Sequence, residues 1–312
     1  MLSFFVLERN RGCVDRLRSQ VREAGDADVS VITYESVRRR ATLPAGAYVF
    51  SDLERLNAYQ RLEAEALYTR IKEAAPAAVI LNNPYRVLRR YGLLRRLHQA
   101  GVNEFNTYRV DEVRWPATYP VFLREECEHN GHLTSLLHSR EELEAAISAL
   151  GVPRPDRLIV EYVDMRDSSG VYRKFGAMGV GGTVLARNFY SSKHWVIKDR
   201  GDVECDQVGH ISTNPHAAIL APMLRLANID YGRIDYGFTP AGRLQVFEIN
   251  TNPLVTAVSD PDPGVESLWK ALSEIDTGHG ADVPLAGLPG RRPRRWQRIV
   301  RGIARRAGVL TP

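Results

Sequence analysis

The sequence predicts an α/β and α+β fold built in three successive parts. Three observations predict it. Apolar strands alternate with helix-periodic segments over the first hundred residues, the signature of a small, mostly parallel α/β domain. A capped helix then sits between two apolar strands. Finally, two strand pairs are each joined by a short turn rich in Gly or Pro.

Each element follows from its own residues. LSFFVL at 2–7 reads as a buried strand, Cys13 to Ala24 as a helix and Val29 to Tyr34 as a second strand. AGAYVFSDLERL gives a strand that ends near Ser51. Ala58 to Ala74 repeats its apolar positions close to every 3.6 residues and reads as a helix. AAVILNNP is a strand stopped by Asn-Asn-Pro. Tyr85 to Ala100 reads as an arginine-rich helix with Gly101 as its C-cap. YPVFLREE is a strand and HNGH a turn. SREELEAAISAL is a helix with Ser139 as N-cap and Glu142 completing a capping box. DRLIVEYVD is a strand, and YRKFGAMGVGGTVLARNFY a hairpin turning at Gly181-Gly182. A helix from about Pro215 to Leu226 precedes two strands, Arg233 to Phe238 and Leu244 to Ile249, joined by TPAG. The expected divisions are 1–110, 111–190, 191–285 and a tail at 286–312.

Charge and cysteine content narrow the function. The 42 basic residues outnumber the 37 acidic ones only because eight arginines lie between Arg291 and Pro312; without them the balance is 34 against 37, or −3. Nucleic-acid binding by the body is therefore not expected, and any such argument rests on the tail. Cys13, Cys127 and Cys205 have no metal-ligand spacing and suggest no disulfide framework, which makes a reducing cytoplasm the simplest location. The first apolar run is too short for a secretion signal or a membrane span. No Ser-His-Asp or Cys-His arrangement is evident, so hydrolase chemistry is disfavoured.

The chemistry concentrates in GRIDYGFTPAGRLQVFEINTNP, from Gly232 to Pro253. Strand side chains alternate faces, so Glu248 and Asn250 point the same way. If TPAG closes a hairpin, Asp235 on the partner strand shares that face. Two carboxylates and an amide oxygen are hard ligands suited to Mg²⁺, which leaves its other positions to water and phosphate. Asp235 alone reads as well as a satisfied strand-edge residue. Glu248 in an otherwise apolar strand needs a partner or a metal.

This segment resembles the metal-binding end of the ATP-grasp superfamily, which includes D-alanine–D-alanine ligase, glutathione synthetase and the ribosomal-protein glutamate ligases. The family pattern of Arg-x-Asp, then Glu-x-Asn followed by Pro, is matched by Arg233, Asp235, Glu248, Asn250 and Pro253. The resemblance implies an ATP-grasp fold: an N-terminal α/β domain, a central α+β lid subdomain and a C-terminal α+β subdomain. It implies that Asp235, Glu248 and Asn250 hold Mg²⁺, or Mn²⁺ in its place, on the ATP phosphates. Arg233 would stabilise charge on the transferred phosphate as the catalytic residue.

Weaker similarities extend backwards over about residues 75–260. RLIVEYVD resembles the hinge strand beside adenine, with the backbone of Glu161, Tyr162 and Val163 meeting the base and either Asp164 or Asp167 the ribose. YPVFLREE resembles the strand whose lysine grips phosphate; Arg124 stands there and keeps the charge with a different geometry. CEHNGHLT occupies the place of a glycine-rich loop but holds only Gly131, flanked by His129 and His132. An ordinary polar turn accounts for it equally well. The hairpin offers Arg173, Lys174 and Arg187. Alternation puts Arg173 and Lys174 on opposite faces, and Lys174 is the one expected at the nucleotide. Arg187 is read as a phosphate contact or a surface residue. Arg89 or Arg90 is a candidate phosphate cation, although a solvated arginine face is the stronger expectation.

The implied activity is ATP- and Mg²⁺-dependent ligation of a small-molecule or peptide carboxylate to an amine through an acyl phosphate. Two alternatives stay open: phosphotransfer to a hydroxyl at the same site, and a nucleotide-binding module without catalysis. LVTAVSDPDPG and SSKHWVIKDRGDVECD, with Lys193, His194, Trp195 and Lys198, are candidates to line the acceptor pocket. In the tail, Trp296, Ile299, Val300 and Ile303 form one stripe of a basic amphipathic helix. It suits an anionic membrane, RNA or, as the plainest reading, the protein's own domain.

Overall fold

The computed structural model describes residues 1–24, 28–112, 115–127, 131–151, 154–197, 201–259, 262–278 and 280–286. The basic tail, His129 and Lys198 lie outside these residues. In chain order the elements are β1 (Leu2–Val6), α1 (Arg11–Ala24), β2 (Val29–Thr33), α2 (Tyr34–Val37), β3 (Thr42–Leu43), β4 (Ala47–Phe50), α3 (Ala58–Ala74) and β5 (Ile80–Leu81). Next come α4 (Arg90–Gln99), β6 (Thr107–Arg109), β7 (Val121–Glu125), α5 (Arg140–Ala149) and β8 (Arg157–Glu161). The chain then gives β9 (Tyr172–Val180), β10 (Thr183–Ser192), α6 (Gln207–Thr213), α7 (Ala217–Ala227), β11 (Tyr231–Phe238), β12 (Leu244–Asn250), α8 (Pro263–Ser273) and β13 (Val283–Pro284).

The N-terminal part is a parallel sheet of order β2-β1-β4-β5. β1 and β4 are buried on both faces, which is why they read as unbroken apolar runs rather than alternating ones. α3 begins at the expected residue because Asn57 and Gln60 form a reciprocal capping box. β13 returns from the far end of the chain to pair with β3.

The central part is an antiparallel sheet of order β6-β8-β7 with α5 packed on it. Ser139 caps α5 by accepting from the Glu142 N–H at 3.2 Å. The Glu142 carboxylate reaches the His138 N–H at 2.7 Å, one residue earlier than a capping box requires.

The third sheet has the order β10-β9-β11-β12, antiparallel throughout. It crosses the boundary expected at residue 190, since the hairpin of β9 and β10 hydrogen-bonds directly to β11. Gly181 and Gly182 take positive φ at that hairpin's turn, as a tight two-residue connection needs. Phe175, Ala177, Ile234 and Tyr236 from this sheet share one apolar core with Leu220 and Leu224 of α7 and with Phe5, Tyr48 and Phe50 of the first sheet. Burial of this continuous core stabilises the parts jointly, at about 25 cal/mol per Å² of apolar surface removed from water.

Among the elements that differ from expectation, two shape the site. α4 starts at Arg90, not Tyr85, because Asn83 closes a turn with Arg86 and Val87, and the Leu88 N–H donates to the Ala227 carbonyl at 3.0 Å. α8 was not expected; Asp262 initiates it by accepting from the Gly264 and Val265 N–H groups at 2.7 and 3.0 Å. Among the described residues no helix is long and apolar enough to cross a membrane.

Candidate active site

β11 and β12 build the centre of the site. Asp235 and Glu248 are register partners across this antiparallel pair, and Arg233 is partnered with Asn250. A register shift after Asp235 leaves Phe247 as an extra residue in β12. It packs against a cluster that includes Leu158 and Val160, while Phe122 and Val163 join from the central sheet.

Four cations surround the two carboxylates. Lys174 of β9 meets Asp235 Oδ2 at 2.9 Å, and Arg233 Nε meets Asp235 Oδ1 at 2.8 Å. Arg124 crosses from the central sheet to Glu248 Oε2 at 3.2 Å. Arg90, at the start of α4, pairs with the same oxygen and donates to the carbonyls of Glu125 and Glu126 at 2.8 and 2.7 Å. The expected solvated arginine face is thus corrected at Arg90, which is buried. The turn at Asn83 swings the chain so that the first residue of α4 enters the site rather than solvent.

The electrostatics follow from crowding. Burial pushes the Arg124 guanidinium down to about 10, and neighbouring Arg90 pushes the same way. Burial pulls the Lys174 ammonium down, but Asp235 and Glu248 outweigh it and hold it above the ordinary lysine value. Asp235 raises Arg233 against the opposing effect of burial. Asn250 is buried, and its Oδ1 accepts from the Asn252 N–H at 2.9 Å, leaving a second lone pair.

Around this centre the other candidate residues divide. Arg173 is exposed and pairs with Asp167 at 2.7 Å, so the two neighbours in β9 face opposite ways and Lys174 joins the site. Arg187 is drawn away. It is buried against Asp262 at 3.1 Å and donates to the Thr256 carbonyl at 3.0 Å, which tethers β10 to the start of α8. Neither its phosphate-contact nor its surface reading matches that placement. The physical reason is the buried α8 N-cap carboxylate, which supplies its counter-charge.

On the segment expected to be the hinge, the Glu161 carboxylate is occupied by the Asn106, Ala117 and Thr118 N–H groups and the Tyr108 hydroxyl. The Glu161 and Tyr162 N–H groups donate to the carbonyls of Asn106 and Pro120 at 3.1 and 2.9 Å. Val163 N–H makes no hydrogen bond among the described residues. Asp164 is gripped by Arg166, and Asp167 accepts from the Ser169 and Val171 N–H groups. Trp195 packs against Phe122, His132 and Tyr162, with ring centroids 5.2, 4.7 and 5.7 Å away. It therefore sits beside that segment, while His194 stays exposed.

Cations from two antiparallel sheets and from α4 thus converge on one carboxylate pair. Solved structures share the fold. The VanG D-Ala:D-Ser ligase of Enterococcus faecalis superposes with a TM-score of 0.53 at 12% identity, over 88% of this chain and 97% of that one. The ATP-grasp ligase PsnB, complexed with minimal precursor, gives 0.51 at 11% identity, over 87% and 98%.

The chain has the ATP-grasp fold.

The D-alanine–D-alanine ligase of Coxiella burnetii matches over 98% of both chains, with a TM-score of 0.52 at 14% identity. No protein-family model matches the sequence, and no curated protein matches it. The likeness to these proteins therefore lies in the fold.

Sequence reasoning missed three features around this candidate site: the burial of Arg90, the Arg187–Asp262 pair, and the packing of Trp195. A signal existed for half of the second: Asp-Pro-Gly before an apolar periodic run marks Asp262 as a helix cap, but not its pairing with Arg187. The other two depend on contacts between distant segments, which local sequence does not encode.

Proposed function

We propose that this protein is an ATP-dependent carboxylate–amine ligase. The observation that carries the reading is the in-register Asp235–Glu248 pair with Arg90, Arg124, Lys174 and Arg233 gathered on it. Two carboxylates and an amide oxygen form a hard donor set that suits Mg²⁺, with its remaining positions left to water and phosphate. Bound there by Asp235, Glu248 and Asn250, Mg²⁺ would neutralise phosphate charge. The named solved structures of this fold are called ligases, and one D-alanine–D-alanine ligase of Bacillus anthracis was solved with ATP.

The chain's own groups then have distinct tasks. The base enters between Phe247 on one side and the hinge on the other, where the Val163 N–H is available to it. Arg90, Arg124 and Lys174 exchange their protein carboxylates for phosphate oxygens, which orients the triphosphate. A substrate carboxylate oxygen attacks the γ-phosphorus, and ADP leaves with the electron pair of the broken P–O bond. Arg233 offsets the charge that develops on the transferred group. An amine nitrogen then attacks the acyl carbon, inorganic phosphate departs and the amine gives up a proton. Preorganised charge and position account for the acceleration, so no protein nucleophile is required.

Hydroxylamine trapping tests this directly. Incubated with ATP, Mg²⁺, hydroxylamine and a panel of carboxylates, the wild type yields a hydroxamate with at least one of them, and Arg233→Met yields at least 100-fold less. Phosphorylated hydroxyl products without any hydroxamate would replace ligation by phosphotransfer.

A further inference from the structure

The carboxyl ends of the parallel sheet face the active site. Its order β2-β1-β4-β5 reverses direction between β1 and β4, and ligands of open parallel sheets bind outside the strand ends at such a switch point. Here the loop after β1 and the loop after β4 meet the strand end that carries Asn250. Asp52, buried and at φ +57°, accepts from the Leu7 N–H at 2.9 Å, Asn10 Nδ2 at 2.9 Å and Asn252 Nδ2 at 3.1 Å. Leu53 N–H donates to Thr251 Oγ1 at 3.0 Å, and that hydroxyl donates to Glu54 at 2.5 Å. The crevice is thus fixed to the catalytic sheet.

Arg55 projects from this fixed loop. Its side chain is 18% exposed, and its nearest carboxylates are Asp52 at 3.8 Å and Glu54 at 4.0 Å. Both lie at ion-pair distance and beyond hydrogen-bond distance. The guanidinium carries five N–H donors, yet its buried Nε has no acceptor among the described residues. Burying unmatched donors is costly, and a protein keeps such an arrangement where another molecule supplies the acceptor. Arg55 follows the residues tied to Thr251 and Asn252, which come directly after Asn250, the register partner of Arg233.

We propose that Arg55 is a specificity-determining residue, reading a second carboxylate on the substrate whose first carboxylate reacts beside Arg233. This rests on the ligase reading above and deepens it to a substrate class: molecules with two carboxylates. A planar guanidinium fork matches a carboxylate edge-on. Asp52 and Glu54 leave Arg55 no surplus positive charge, so it reads a ligand through directed N–H donors, which favours a singly charged, planar acceptor over a phosphate dianion. The triphosphate has its own four cations at the Asp235–Glu248 pair.

The test is calorimetry on the full-length protein loaded with Mg²⁺ and a non-hydrolysable ATP analogue. The probes are α,ω-dicarboxylates from succinate to adipate, and monocarboxylates of matching length. At least one dicarboxylate is expected to bind 10-fold or more tighter than its monocarboxylate counterpart. Arg55→Gln erases that preference while nucleotide affinity stays within 2-fold, and Arg55→Lys retains part of it. No dicarboxylate preference in the wild type, or a preference that survives Arg55→Gln, overturns the proposal and leaves the ligase reading standing. A wild type that binds no nucleotide brings down both readings, and that outcome is seen in the loading step before any carboxylate is added.

Discussion

Asp235 and Glu248 stand opposite each other as register partners across β11 and β12, and each carboxylate is held by its own pair of cations. Lys174 and Arg233 serve Asp235, while Arg90 and Arg124 serve Glu248. Removing the charge of Glu248 leaves two neighbouring arginines facing each other in a largely buried place. Breaking a buried pair from one side costs about 3–5 kcal/mol, and the partial exposure of Glu248 and Arg124 reduces that to about 2–4 kcal/mol. Urea unfolding of Glu248→Gln without nucleotide should show this loss. Inorganic triphosphate should recover part of it by supplying the missing negative charge.

Arg187 and Asp262 form a buried pair at 3.1 Å that joins β10 to α8. Asp262→Ala is expected to destabilise the protein by about 3–5 kcal/mol, because it strands the arginine and uncaps the helix. The double variant Arg187→Met/Asp262→Leu should regain most of that in urea unfolding. Its ATP affinity should stay within 2-fold of the wild type, since the pair is structural; a larger loss would return Arg187 to the nucleotide.

His210 is enclosed by Phe175, Phe189 and His216. Burial holds its imidazole down at about 4, with His216 acting in the same direction. The folded state therefore resists a proton that the unfolded chain accepts near 6.5. Stability from this site is complete above about pH 6.5 and falls away as the pH drops towards 4, by on the order of 3 kcal/mol. Unfolding midpoints measured from pH 7 to pH 4 should decline more steeply in the wild type than in His210→Phe.

Trp195 packs on Phe122 and Tyr162 beside the expected hinge, so a base arriving there must displace it or stack on it. Addition of ATP is expected to change tryptophan emission, and Trp195→Phe to remove most of that change. An unaltered response in the variant would mean that the signal comes from elsewhere and that the base does not reach this ring.

Much of this was legible from residues alone, for physical reasons. α3 announced its periodicity, and α5 its N-cap at Ser139. The paired strands of Arg233 and Glu248 followed from alternation and a short turn, so the facing of Asp235 and Glu248 was readable before any coordinates. That Arg173 and Lys174 face opposite ways followed from the same two-residue period. The fate of Arg90 was not readable, because a backbone bond from Leu88 to Ala227 sets where α4 begins. Nor was that of Arg187, whose partner lies 75 residues away. The weld between Asp52, Glu54 and Asn252 joins loops that are about 200 residues apart and carry no shared pattern.

The central claim is that the Asp235–Glu248 face takes a nucleotide through a divalent cation. Calorimetry of ATP binding, with and without Mg²⁺, on the wild type and on Glu248→Gln tests it most directly. The account predicts binding in the wild type that requires Mg²⁺ and weakens at least 10-fold in the variant. Binding that ignores both the cation and the substitution, or no binding in either protein, would contradict it.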